Sequence, residues 1–150
     1  MTDKIAYNIS DDLIGDVIRK FAPRYIPNGK VLYIQESFSD HFIDIDGLNR
    51  INLTDCVSKL PDVIISDEAQ GWLFLIEVVT SHGPVSAKRM VELEEFTKDC
   101  PYGIVYVTAF PDAKEFKKHV TDVAWETEVW LADTPDHMIH FNGDRFIGPR

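Results

Sequence analysis

The chain has 150 residues, enough for one domain with one substantial core, and its 45% hydrophobic and 11% aromatic content excludes a disordered chain. No apolar run approaches the roughly 20 residues of a membrane helix, and the opening MTDKIAYNISDD lacks the apolar stretch of a secretory signal. The formal net charge of -10 runs against the basic footprint usual in nucleic-acid binders, although Lys88-Arg89 and Lys114, Lys117 and Lys118 form local basic clusters.

In chain order, Ser10 is a candidate N-cap, followed by Leu13, Ile14, Val17, Ile18 and Phe21 at helical spacing. Pro23 is expected to end that helix, and Pro27-Asn28-Gly29 to turn the chain into a strand at Val31–Ile34. The polar stretch 36–59 carries no periodic signal. Asp62–Ile65 and Trp72–Thr80 read as strands, joined across Asp67–Gly71 as a hairpin. His82-Gly83-Pro84 breaks the chain, and Ser86 caps a helix carrying Ala87, Met90, Val91 and Leu93. Gly103–Phe110 has the continuous apolar character of a strand buried on both faces. Asp112 and Glu115 resemble a capping box before a helix with Ala113, Phe116, Val120 and Val123. Glu128–Ala132 and Met138–Phe141 read as final strands. The order α-β-β-β-α-β-α-β-β predicts an α/β fold with a mixed central sheet flanked by helices.

Two cysteines, Cys56 and Cys100, give neither a disulfide framework nor metal-ligand spacing, and reduced thiols suit a cytoplasmic protein. The more informative residues are acidic. Asp62 opens one strand of the hairpin, and Glu77 sits late in the other, inside Leu75-Ile76-Glu77-Val78-Val79. Hairpin pairing brings these two carboxylates to one end of the sheet. Their repulsion in a partly buried place is relieved by a divalent cation. Magnesium takes such hard oxygen ligands and suits phosphodiester hydrolysis. Taken alone, the spacing equally describes an ordinary acidic strand end.

The surrounding residues are more specific. Leu60-Pro61-Asp62-Val63, Leu73-Phe74-Leu75-Ile76-Glu77-Val78-Val79-Thr80-Ser81-His82-Gly83-Pro84-Val85, Lys88-Arg89, Glu92-Leu93, Tyr106–Pro111, Ala124–Trp130 and Pro135–His140 occur in order. This pattern, from about Val31 to Arg150, resembles the C-terminal nuclease domain of the BsuBI/PstI family of type II restriction endonucleases. The resemblance implies a PD-(D/E)XK (restriction endonuclease-like) core over 30–150, with 1–29 as a helical N-terminal extension of a single nuclease domain. It also implies a homodimer cutting double-stranded DNA with Mg2+ at a short palindrome, CTGCAG for the enzymes that name the family. Members carry an additional N-terminal helical domain, so this chain is either part of a longer enzyme or a stand-alone relative.

On that resemblance Asp62 and Glu77 hold the metal. The superfamily's E-x-K lysine falls on Val79, which cannot stabilise charge, so the catalytic lysine is expected at Lys88, reaching back from the next helix. A phosphate contact or an exposed position is the plainer reading of Lys88. Ser81, His82 and Arg89 are expected at the DNA, with a backbone-bonded turn histidine as the alternative for His82. Glu92 is expected to pair with Lys88 one turn away, and Asp11, Asp12 and Asp16 to act as ordinary partners of a helix N-terminus. His137 and His140, three apart on a strand, face opposite ways and make no paired metal site. Trp125 and Trp130 are expected in the core. A catalytically silent DNA- or protein-binding module with a nuclease-like fold is the alternative function, motivated by the absent in-strand lysine and the acidic balance. A nuclease acting on RNA or single strands is a third.

Overall fold

A computed structural model of the chain describes residues 12–35, 42–53, 60–79 and 83–144. The architecture is a mixed sheet of seven strands in the order β2-β1-β3-β4-β5-β6-β7, with helices on its faces. The strands are β1 (Lys30–Ile34), β2 (Phe42–Ile43), β3 (Val63–Asp67), β4 (Trp72–Val78), β5 (Gly103–Phe110), β6 (Glu128–Leu131) and β7 (Met138–His140). The helices are α1, running through Leu13–Asp16, Val17–Phe21 and Ala22–Tyr25, then α2 (Ile45–Arg50), α3 (Ala87–Phe96) and α4 (Ala113–His119).

The first helix departs from expectation at both ends. Its cap is Asp12, whose carboxylate accepts from the Gly15 amide at 3.1 Å, while Ser10 lies outside the described residues. Pro23 does not end it. Val17–Phe21 is a π turn in which the Ala22 amide reaches back to the Val17 carbonyl. This wider turn relieves the clash that proline makes with the preceding turn of an α-helix. The Arg24 guanidinium then satisfies the Lys20 carbonyl at 2.9 Å and holds Asp136 at 2.7 Å. In the stretch that carried no signal, the structure adds β2 on the sheet edge and the short helix α2, capped by Asp44 through the Gly47 amide.

Strand alternation divides the core. One face sends Val31, Val63, Ile65, Phe74, Ile76, Val107 and Trp130 against α1, which contributes Val17, Ile18 and Phe21. The other sends Leu32, Ile64, Leu73, Leu75 and Tyr106 against α2 and α3, which contribute Leu48, Leu93 and Phe96. A smaller cluster of Val79, Phe110, Val123 and Val129 lies under Phe116 of α4. Trp130 is fully buried, as expected, but Trp125 is not in the core. It is 69% exposed and lies against Phe141 at a ring separation of 5.8 Å.

The pairing between strands positions the acidic residues. β3 and β4 form the expected antiparallel hairpin, with Val63 opposite Ile76, Ile64 opposite Leu75 and Asp67 opposite Trp72. β4, β5 and β6 are parallel, with Glu77 beside Thr108 and Thr108 beside Val129. The connection from β4 to β5 therefore crosses one face, and α3 is its crossover helix.

Trp130 meets Phe21 edge-to-face at 5.4 Å, and its indole donates to the Pro135 carbonyl at 3.1 Å. Trp130→Ala is expected to lower stability by about 3–5 kcal/mol in urea titration. A loss under 1 kcal/mol would mean that α1 is not packed on the sheet in solution.

Candidate active site

Continued by one step, the β3–β4 register sets Asp62 opposite Glu77. Alternation turns both onto the face covered by α3, with Ile64 and Leu75. Both are only 5% exposed. Asp62 is held at main chain and side chain alike. Its carbonyl accepts from the Gln35 amide at 2.9 Å, and its Oδ2 accepts from the Val78 amide at 2.8 Å. That carboxylate thus takes over a backbone donor where the hairpin ladder ends. Replacing Asp62 by Ala therefore orphans a buried amide, at a cost of roughly 1–3 kcal/mol, whereas Asn keeps an acceptor.

Glu77 meets a cation from α3. Ser86 caps the helix by accepting the Arg89 amide at 3.1 Å. One turn in, Arg89 donates Nε to Glu77 Oε1 at 2.5 Å, Nη1 to Glu92 Oε1 at 3.2 Å and Nη2 to the Leu60 carbonyl at 3.2 Å. The start of α3 is itself fixed over the site, because the Val85 amide donates to Oγ1 of fully buried Thr108, the β5 neighbour of Glu77.

The cation paired with Glu77 is Arg89. Successive helix residues point about 100° apart. Arg89 lies on the inward stripe with Ser86, Leu93 and Phe96, and Lys88 lies outside it. Lys88 is exposed, and its side chain has no hydrogen bond or ion pair among the described residues. Arg89, expected at the DNA, turns its guanidinium inward because a buried carboxylate demands a counter-charge. Glu92 pairs with Arg89 rather than with Lys88. The stripe at three- and four-residue spacing was the signal that distinguishes the two cations. Ser81 and His82 lie outside the described residues, as does Asp11.

Burial pushes the Glu77 carboxyl up to about 7. The Arg89 guanidinium opposes the rise, and the adjacent Asp62 carboxylate adds to it. Tyr33 of β1 feels the same charge: burial foremost, and then Asp62, raise its hydroxyl above the ordinary value. Val79, at the E-x-K lysine position, packs with Phe110, Val123 and Val129. Three of the other acids and histidines have partners elsewhere. Asp12 caps α1, Asp16 pairs with Lys20 at 3.5 Å, and His140 pairs with Glu128 at 2.7 Å. Among the described residues no three or more His, Cys, Asp or Glu side chains gather as a metal cluster.

Two adjacent buried carboxylates, one held in a partly protonated range, fit a hard divalent cation. Magnesium typically uses one or two protein carboxylates and completes its shell with water and phosphate oxygens. Comparisons with known proteins identify the family. The model of the BsuBI/PstI restriction endonuclease domain matches residues 2–144. The chain belongs to the BsuBI/PstI restriction endonuclease family.

Among its relatives, the type II restriction enzyme BsuBI of Bacillus subtilis is 45% identical over 92% of this chain and 44% of its own length. The type II restriction enzyme AplI of Arthrospira platensis is 29% identical over 96% of this chain and 49% of its own. The solved structure of SdaI restriction endonuclease superposes with a TM-score of 0.84 at 37% identity, over 91% of this chain and 44% of that one. The fold is thus that of a restriction endonuclease, and the chain spans about half the length of the relatives it matches.

A pH effect follows from Glu77. Its folded pKa of about 7 lies above the ordinary 4.5. Between those values the folded chain keeps a proton that the unfolded chain has lost, so stability falls as pH rises from about 4.5 through 7. Glu77→Gln lacks that penalty. In urea titrations with a chelator, the stability of the Gln variant relative to wild type is expected to rise by on the order of 2 kcal/mol between pH 4 and pH 8. A pH-independent difference would mean that Glu77 ionises at its ordinary value.

Proposed function

We propose that this chain is the nuclease domain of a type II restriction endonuclease, hydrolysing double-stranded DNA at a short palindromic, CTGCAG-like site with Mg2+. The observation that carries the reading is the buried Asp62/Glu77 pair, set opposite each other at the end of a hairpin in a chain of restriction endonuclease family and fold. Neither carboxylate is explained by stability: burying two like charges side by side opposes folding.

Asp62 and Glu77 would hold the metal. Bound there, a divalent cation would supply Lewis-acid chemistry to a phosphodiester and to a water in its shell. The protein's own residues prepare the place. The Val78 amide orients Asp62, and Arg89 orients Glu77. Lys88 supplies the catalytic ammonium from the first turn of α3. Its exposed side chain, uncommitted among the described residues, is free to meet a phosphate brought to the site. Ser81 and His82, in the segment joining β4 to α3, take DNA contacts. A palindrome presents two equivalent strands, which a two-fold homodimer matches with two sites. The reading places the enzyme in the cytoplasm, where its DNA substrate is met. No helix among the described residues is long and apolar enough to cross a membrane.

The test is incubation of the chain with plasmid DNA, with and without magnesium, beside Asp62→Asn, Glu77→Gln and Lys88→Ala. Discrete magnesium-dependent fragments are expected. Loss of either carboxylate is expected to remove cleavage by more than 100-fold, and loss of Lys88 by a typical general-catalysis factor of about 10²–10⁴. Folded wild-type protein that binds DNA without cutting it would favour the silent binding module instead.

A further inference from the structure

Arg89 touches both halves of the carboxylate pair's support. Its Nε holds Glu77 on β4 at 2.5 Å, and its Nη2 holds the Leu60 carbonyl at 3.2 Å, two residues before Asp62. Its Nη1 is braced at 3.2 Å by Glu92, one helical turn further along α3. The helix presents this side chain in one register, because the Ser86 cap fixes the backbone at Arg89 itself. A guanidinium is a rigid planar fork with donors in fixed directions; an ammonium is a point charge that cannot span three such acceptors.

We infer that Arg89, braced by Glu92, is a positioning residue that sets the separation and orientation of Asp62 and Glu77 and thereby the metal affinity of the site. The inference rests on the reading of that pair as the metal site. Two roles for a cation here predict opposite signs. A mere counter-ion to Glu77 competes with the metal, so its removal tightens metal binding. A positioning residue fixes the ligand geometry, so its removal loosens binding, by the 10–100-fold typical of groups that orient metal ligands.

The test is isothermal titration of the full chain with MgCl2 and, separately, MnCl2, for wild type, Arg89→Ala, Arg89→Lys, Glu92→Gln and Asp62→Asn, with near-ultraviolet circular dichroism to establish folding. Arg89→Ala and Arg89→Lys are expected to bind each metal about 10–100-fold more weakly, and Glu92→Gln to fall between them and wild type. Should Arg89→Ala not fold, Arg89→Lys, which keeps the charge, and Glu92→Gln decide. Tighter binding by Arg89→Ala, or wild-type affinity in Arg89→Lys, overturns the inference while leaving the metal site standing. No metal uptake by wild type, or uptake unchanged in Asp62→Asn, overturns the site and the inference together.

Discussion

The arrangement turns on two carboxylates forced together by strand register. Once β3 and β4 pair with Val63 opposite Ile76, Asp62 and Glu77 must face each other on the side of the sheet that α3 covers. Apolar neighbours on both strands remove them from water, and each raises the cost of ionising the other. Two polar groups reduce that cost: the Val78 amide at Asp62, and the Arg89 fork at Glu77. The fold tolerates the strain because the hairpin lies in the middle of a seven-stranded sheet whose two faces are sealed by α1 and by α2 and α3. That cost in the free protein is the reason for reading the pair as a cation site.

Much of this was legible because the signals were local. The hairpin, β5, the caps at Ser86 and Asp112 and the final strands each depend on a few adjacent residues, and the structure shows them within a residue or two of expectation. The Asp62/Glu77 juxtaposition followed from hairpin arithmetic. What failed depends on context. Pro23 ordinarily stops a helix, but a π turn before it and the Arg24 side chain after it absorb the defect. β2 and α2 are too short to show a periodic pattern and are held by their neighbours and the Asp44 cap. Trp125 looked like core from its type alone, yet its loop leaves it in solvent.

The choice between Lys88 and Arg89 illustrates the same limit within the site. Adjacent cations at a helix start look equivalent by distance along the chain. The helix separates them by about 100°, and the stripe through Ser86, Leu93 and Phe96 decides which one turns inward. The inward residue serves Glu77, and the outward one is the proposed contact for a substrate phosphate. The excess of acid in the chain is no obstacle to that division. Local charge is what a phosphate meets, and Glu77 and Glu92 are both already faced by Arg89.

The central claim is that Asp62 and Glu77 form a metal site. Crystals grown with manganese, measured at a wavelength where manganese scatters anomalously, test it most directly. The account predicts an anomalous peak between the two carboxylates, lost in Asp62→Asn. A peak at other carboxylates with none at this pair, or no peak at saturating metal, would contradict it.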